Sequence, residues 1–113
     1  MDKADKTLEN RNNTLLLDFY GQLLTDRTLE VATLHFNEDM SLSEISEILG
    51  ISRQAVHDAL RRATATLAGY EEKLQLADRF VRQRSVIAEA VDDLDAGRTD
   101  AARERLKALT EIL

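Results

Sequence analysis

From residue 15 onward the apolar residues recur at helical spacing. Leu15, Leu16, Phe19, Leu23 and Leu24 fall on one stripe, which predicts an amphipathic helix over about 14–24. Gly21 interrupts that stripe at roughly 1 kcal/mol relative to alanine, a position read as a close helix crossing. Thr25 reads as an N-cap, with Asp26 in the first turn at the positive end of the helix dipole. A second helix over about 26–36 follows, burying Leu29, Ala32 and Leu34 or Phe36, and Asn37-Glu38-Asp39 is a polar turn. Ser41 and Glu44 have the spacing of a capping box and open a third helix, 42–49, whose expected core face is Ile45, Ile48 and Leu49. Gly50 supplies the left-handed conformation that closes it, and Ile51 anchors the corner. Ser52 caps a fourth helix that buries Ala55, Val56, Ala59 and Leu60. Residues 41–63 therefore have the form of a helix-turn-helix, in which one helix braces and the next enters a nucleic-acid groove.

After Ser52 no strong stop occurs until Gly97. Leu67, Tyr70, Leu74, Ala77 and Val81 continue in steps of three and four, and Leu76, Phe80, Ile87, Val91 and Leu94 form a second line. Ala68-Gly69 is the one plausible kink, so the fourth helix is expected over 52–68 and a long fifth over 70–95. Unbroken, the two would extend about 65 Å at 1.5 Å per residue. Residues 95–99 form a turn with Thr99 or Asp100 as cap. A short final helix carrying Ala101, Leu106, Leu109, Ile112 and Leu113 then folds back. Two apolar lines exceed what the N-terminal part covers, so part of the stripe is expected to meet a second copy of the chain. The expected organisation is a flexible N-terminus (1–11), a helix-turn-helix domain (12–66) and a helical extension (67–113) that makes a homodimer.

Composition supports an all-α fold: there is no proline, only four glycines, and abundant Ala, Leu, Glu and Arg. The chain has no cysteine, which removes disulfides and thiol chemistry, and its two histidines make a zinc site improbable. No apolar run approaches the ~20 residues of a membrane span, and the polar start is no signal peptide. The expectation is a soluble, cytoplasmic protein. The net charge of −6 opposes contact with phosphate, but the charge is patterned. Within 52–66 Arg53, Arg61 and Arg62 stand against Asp58 alone, a local +2.

The stretch LLLDFYGQLLTDRTLEVATLHF, then SLSEISEILGISRQAVHDALRRA, then GYEEKLQL, resembles the YlxM family over about residues 14–80. These are small bacterial helix-turn-helix proteins encoded beside the signal recognition particle genes, and their N-terminal unit is similar to region 4 of bacterial sigma factors. The resemblance implies an all-helical dimer, a DNA-binding role and an association with the signal recognition particle pathway. The sequence departs from the family's pattern in two places. Thr28 and Leu29 replace a polar-basic pair, and His57 stands where an aromatic residue is usual.

The candidate nucleic-acid contacts are Ser52, Arg53, Gln54, His57, Arg61 and Arg62. Arginine bonds guanine bidentately and glutamine does the same for adenine, while a serine at a helix N-terminus suits a phosphate. The competing reading is a helix-turn-helix kept as a protein-binding scaffold, favoured by the acidic neighbours Glu44, Glu47 and Asp58. Under it the chain is an accessory protein that contacts the signal recognition particle GTPase or its RNA. A third reading is a structural dimer with a vestigial helix-turn-helix. His35 and His57 lack the partners of a metal or acid–base site, Glu71-Glu72 and Asp92-Asp93 read as solvated faces, and Arg79, Arg82 and Arg84 as a small basic cluster. No cofactor, metal site or catalytic group is expected, and the chain is not read as an enzyme.

Overall fold

The computed structural model describes residues 3–111, with side chains from Arg11 onward. Ile112 and Leu113, which the apolar pattern places in the last helix, lie outside the described residues. Among the described residues every regular element is helical: α1 (Lys3–Tyr20), α2 (Asp26–Ala32), α3 (Leu42–Leu49), α4 (Arg53–Leu74), α5 (Leu76–Asp95) and α6 (Thr99–Leu109). They form two compact units, Met1–Leu74 and Gln75–Leu113.

In the first unit α1 begins at Lys3, where a frayed terminus was expected. Residues 3–13 contain no proline or glycine to stop a helix growing back from the packed segment. α1 tightens into a 3₁₀ turn, Gly21–Leu23. A Cβ on Gly21 would lie 3.2 Å from Leu17 Cδ1 and 3.4 Å from Leu29 Cδ1, so the glycine does sit at a close approach to α2. Thr25 occupies the N-cap position of α2 without making the side-chain cap. Its hydroxyl instead pairs with that of Thr28 at 2.7 Å, and Thr28 Oγ1 also donates to the Thr25 carbonyl. Thr28, one of the departures from the family pattern, is thereby buried. α2 runs on through a π turn, Thr33–Asn37, and the His35 ring ties down the following loop by donating from Nδ1 to the Met40 carbonyl at 2.9 Å.

α4 is the spine of this unit. Val56 and Ala59 join Val31 and Ile45 in one buried cluster, and Ala63 and Leu67 join Leu17, Tyr20 and Ala32 in another. Fully burying a side chain such as Ile45, Val56 or Leu67 contributes about 1.5–3 kcal/mol. The helix does not stop at Ala68-Gly69 as expected. It continues through Gly69 to Leu74, because Leu67 is buried and Tyr70 stacks on Tyr20 with ring centroids 6.0 Å apart. The Tyr20 hydroxyl also donates to Glu71 Oε1 at 2.6 Å. A glycine penalty of about 1 kcal/mol is smaller than this packing. The interruption falls instead at Gln75, in the left-handed region with φ 56°. Leu67, Tyr70 and Glu71 thus pack with the first unit. Ile48, expected in the core, is 62% exposed, while Ile45 is buried and Leu49 half-buried.

In the second unit α5 and α6 form a helical hairpin. Gly97 takes φ 78° at the end of α5, and the Arg98 and Gly97 amides donate to the Asp93 and Leu94 carbonyls, a glycine-closed helix end. The residue capping α6 is Arg98, not Thr99 or Asp100, because Arg98 is drawn back to α5 by its amide and by its guanidinium. Asp93 is not a solvated carboxylate: it is 2% exposed. Arg105 Nε donates to its Oδ2 at 2.6 Å and Arg98 Nε to its Oδ1 at 3.0 Å, and Arg105 also pairs with Glu89. The bonds from Arg105, with those from Arg98, hold the Asp93 carboxyl below the usual carboxylate range against the burial that acts to raise it. Asp92 remains exposed.

Candidate nucleic-acid interface

The corner between α3 and α4 is fixed by local bonding. Ser41 Oγ accepts from the Glu44 amide at 3.1 Å while Glu44 Oε1 accepts from the Ser41 amide at 3.2 Å, the reciprocal capping box. Gly50 closes α3 with φ 66° and ψ 34°, and the Ile51 amide donates to the Ser46 carbonyl at 3.2 Å. Ser46, which carried no weight in the sequence, locks the corner a second time by donating its hydroxyl to the Ile51 carbonyl. Ser52 Oγ then accepts from the Ala55 amide at 3.0 Å. That bond uses the oxygen as acceptor, and the hydroxyl can still donate.

All six candidate residues lie on the exposed side of this segment. Val56, Ala59, Ala63 and Leu67 are buried, whereas Ser52, Arg53, Gln54, His57, Arg61 and Arg62 are exposed. At 100° per residue Arg53, His57 and Arg61 line up at i, i+4 and i+8, and Arg53 and Arg62 bound an arc of about 180°. Among the described residues no carboxylate pairs with the guanidinium of Arg53, Arg61 or Arg62; the close pair on this face joins His57 to Asp58. These arginines are outward cations with their donors available.

Asp58 also lies on this arc, and the sequence treated it only as opposing charge. Gln54 Nε2 donates to Asp58 Oδ1 at 3.0 Å, and His57 Nδ1 lies 3.8 Å from the same oxygen. Asp58 could reach Arg61 or Arg62 at i+3 or i+4, yet it is held toward Gln54. A shallow hollow of about 450 Å³ lined by Asp58, Arg61, Arg62 and Ala65 results. The i, i+4 spacing of Gln54 and Asp58 was the available signal for this pairing. Two of the three arginines of the Arg79–Arg84 cluster are engaged locally: Arg82 pairs with Asp78 at 3.2 Å and the Arg84 guanidinium lies 5.7 Å from the Phe80 ring centroid. No group of His, Asp or Glu among the described residues is arranged to hold a metal ion.

Comparison with known proteins matches residues 5–108 to the family UPF0122, described as "Putative helix-turn-helix protein, YlxM / p13 like". A UPF0122 protein of Desulforamulus reducens is 43% identical over 99 residues, which cover 88% of this chain and 85% of that protein. One from Acetivibrio thermocellus is 50% identical over 80 residues, covering 71% and 68%. A third, from Symbiobacterium thermophilum, is 43% identical over 95 residues, covering 84% and 89%. Two segments that carried the resemblance are joined in the fold: Tyr20 of LDFYGQLLT stacks on Tyr70 and bonds Glu71 of YEEKL.

Proposed function

The chain belongs to the UPF0122, YlxM-like helix-turn-helix family, and from that premise we propose that it is a DNA-binding regulatory protein of the signal recognition particle pathway that reads DNA with α4. The observation that carries the DNA contact is the outward arc from Arg53 to Arg62, whose guanidinium groups no carboxylate among the described residues engages. In this reading Ser52 and the first amides of α4 meet a phosphate, and Arg53, Gln54, His57, Arg61 and Arg62 meet bases and flanking phosphates. The pathway assignment rests on the family resemblance. The test is a binding titration of the full chain on DNA upstream of its own gene, at moderate salt, beside unrelated DNA of equal length. Arg53→Ala with Arg61→Ala is expected to weaken binding by about tenfold or more, on the order of 1–3 kcal/mol per lost base contact. Equal affinity of the double variant and the wild type would overturn the reading.

Homodimerisation through α5 and α6 is part of the proposal. Phe80, Ile87, Val91 and Leu94 are between 36% and 52% exposed, and with Arg84 they repeat in steps of four and three, the spacing of a coiled-coil seam. An apolar groove of about 390 Å³ lined by Leu94, Ala102 and Leu106 adjoins it. A second copy of α5 fits both features. Such a dimer would present two reading helices to half-sites about one DNA turn apart. Ile87→Asp is expected to sediment as a monomer at tens of micromolar with its helix content retained, and an unchanged dimer would exclude this seam.

One observation favours a second reading, the accessory protein that contacts the particle's GTPase or its RNA without binding DNA. Ile48, 62% exposed on α3, is flanked by exposed Glu44 and Glu47, a combination suited to a protein surface and not to phosphates. If it holds, Ile48→Ser abolishes recovery of the particle's components in a pull-down and Arg53→Ala does not.

A further inference from the structure

We propose that Asp58 determines sequence specificity, by accepting a hydrogen bond from the exocyclic amino group of a cytosine beside a guanine contacted by Arg61. The inference rests on the DNA-reading role of α4. Asp58 sits inside the outward arc, between Arg61 and Arg62, and not behind it. A carboxylate there repels phosphates, so a complex in which α4 bound only the DNA backbone would leave this charge uncompensated. A carboxylate is an acceptor only. In the major groove its complements are amino hydrogens, and cytosine N4 is the usual partner of Asp and Glu.

The local geometry prepares the group for that use. Gln54 Nε2 holds Oδ1 at 3.0 Å, with His57 Nδ1 3.8 Å from the same oxygen. Among the described residues no bond engages Oδ2. The side chain is half exposed, at 50%, so its rotamer is set by one lateral bond and not by burial. Arg61 lies one turn further along the helix and is not consumed by Asp58, which leaves its paired donors for guanine O6 and N7. The hollow between them is floored by Ala65, whose small side chain admits the edge of a base pair. An acceptor and a bidentate donor side by side complement the two partners of one G·C pair, or adjacent positions of a C/G step.

The test is selection of binding sites from random DNA by the wild-type chain, by Asp58→Asn and by Arg53→Ala, with circular dichroism confirming the fold of each. Asp58 is exposed and caps no helix, so both substitutions at this face keep the fold. The wild type is expected to enrich a cytosine at one position by about 5- to 100-fold over other bases. Asp58→Asn, now both donor and acceptor, is expected to switch that single position to adenine and leave the rest of the site unchanged. If the wild type selects a site, Arg53→Ala weakens it, and Asp58→Asn selects the same bases as the wild type, the inference fails while the DNA reading stands. If the wild type selects nothing, both fail.

Discussion

Two glycines, one closing α3 and one inside α4, respond to the same substitution with opposite sign. Gly50 has φ 66°, and a Cβ placed on it meets nothing within 4 Å. Gly50→Ala therefore creates no clash, and its cost is the left-handed backbone alone, about 1 kcal/mol. Gly69 lies within α4, and a Cβ there also meets nothing within 4 Å. Gly69→Ala removes the glycine penalty of a helix interior without straining anything, a gain of about 0.5–1 kcal/mol. The two variants should thus differ by about 2 kcal/mol although neither changes a side-chain contact. In urea unfolding followed by far-UV circular dichroism, midpoints should move apart, each by about 0.5 M from the wild type, at unchanged slope. Thermal midpoints should shift by about 4 °C in each direction. The result that would refute this reasoning is a Gly69→Ala variant less stable than the wild type. That outcome would place the chain's bend at Ala68-Gly69 and dismantle the packing of Tyr70 and Glu71 on Tyr20.

The Asp93 carboxyl gives a second prediction. Its folded-state pKa lies below the ordinary 3.8, so its contribution is fully present above that value and is lost as pH falls through the folded-state value. The hairpin of α5 and α6 should lose helical signal below about pH 4, and Asp93→Asn should be less stable at pH 7 and show a flatter acid limb. An acid limb identical to the wild type's would remove Asp93 as its cause. Tyr20→Phe deletes the bond to Glu71 while keeping the ring stack, and should lower the stability of the first unit by about 1 kcal/mol in the same urea assay. An unchanged midpoint would show that bond to be energetically neutral. Salt dependence of DNA binding should be unusual. At about 0.15 M the screening length is about 8 Å and the local +2 around α4 governs contact, whereas at 0.01 M it is about 30 Å and the whole −6 chain repels DNA. Affinity should therefore stop rising below moderate salt, and a steep, straight increase down to 0.01 M would contradict this.

What could be read from the sequence was what is bonded locally. The capping box, the glycine corner and the Ser52 cap each join residues no more than five positions apart, so their residue types and spacing suffice. The features that escaped depend on distant partners or on which flank of a stripe is covered. Ile45, Ile48 and Leu49 share one apolar sector, and periodicity alone does not tell that α4 covers the Ile45–Leu49 side and leaves Ile48 outside. Asp93 looked like its neighbour Asp92 until Arg98 and Arg105, five and twelve positions later, closed over it. Glu71 looked solvated because its partner, Tyr20, lies 51 residues earlier. Gln75 carries no mark of a left-handed residue at all: no glycine, asparagine or proline accompanies it.

The same distinction explains the exposed face of α4. Helical spacing was enough to place Arg53, Gln54, His57, Arg61 and Arg62 on one side of α4, because the buried positions 56, 59, 63 and 67 fix the opposite side. Spacing was not enough to say which charges remain available there. Asp58 had three partners within helical reach, Gln54, Arg61 and Arg62. Pairing with either arginine would have engaged one of the three cations and blunted the face. Its bond to Gln54 instead ties an uncharged side chain to the carboxylate, leaves the cations outward and sets an acceptor among donors. A face of cations alone would hold any phosphate backbone; in the proposed DNA-reading role the added acceptor would turn that attraction into a choice between bases.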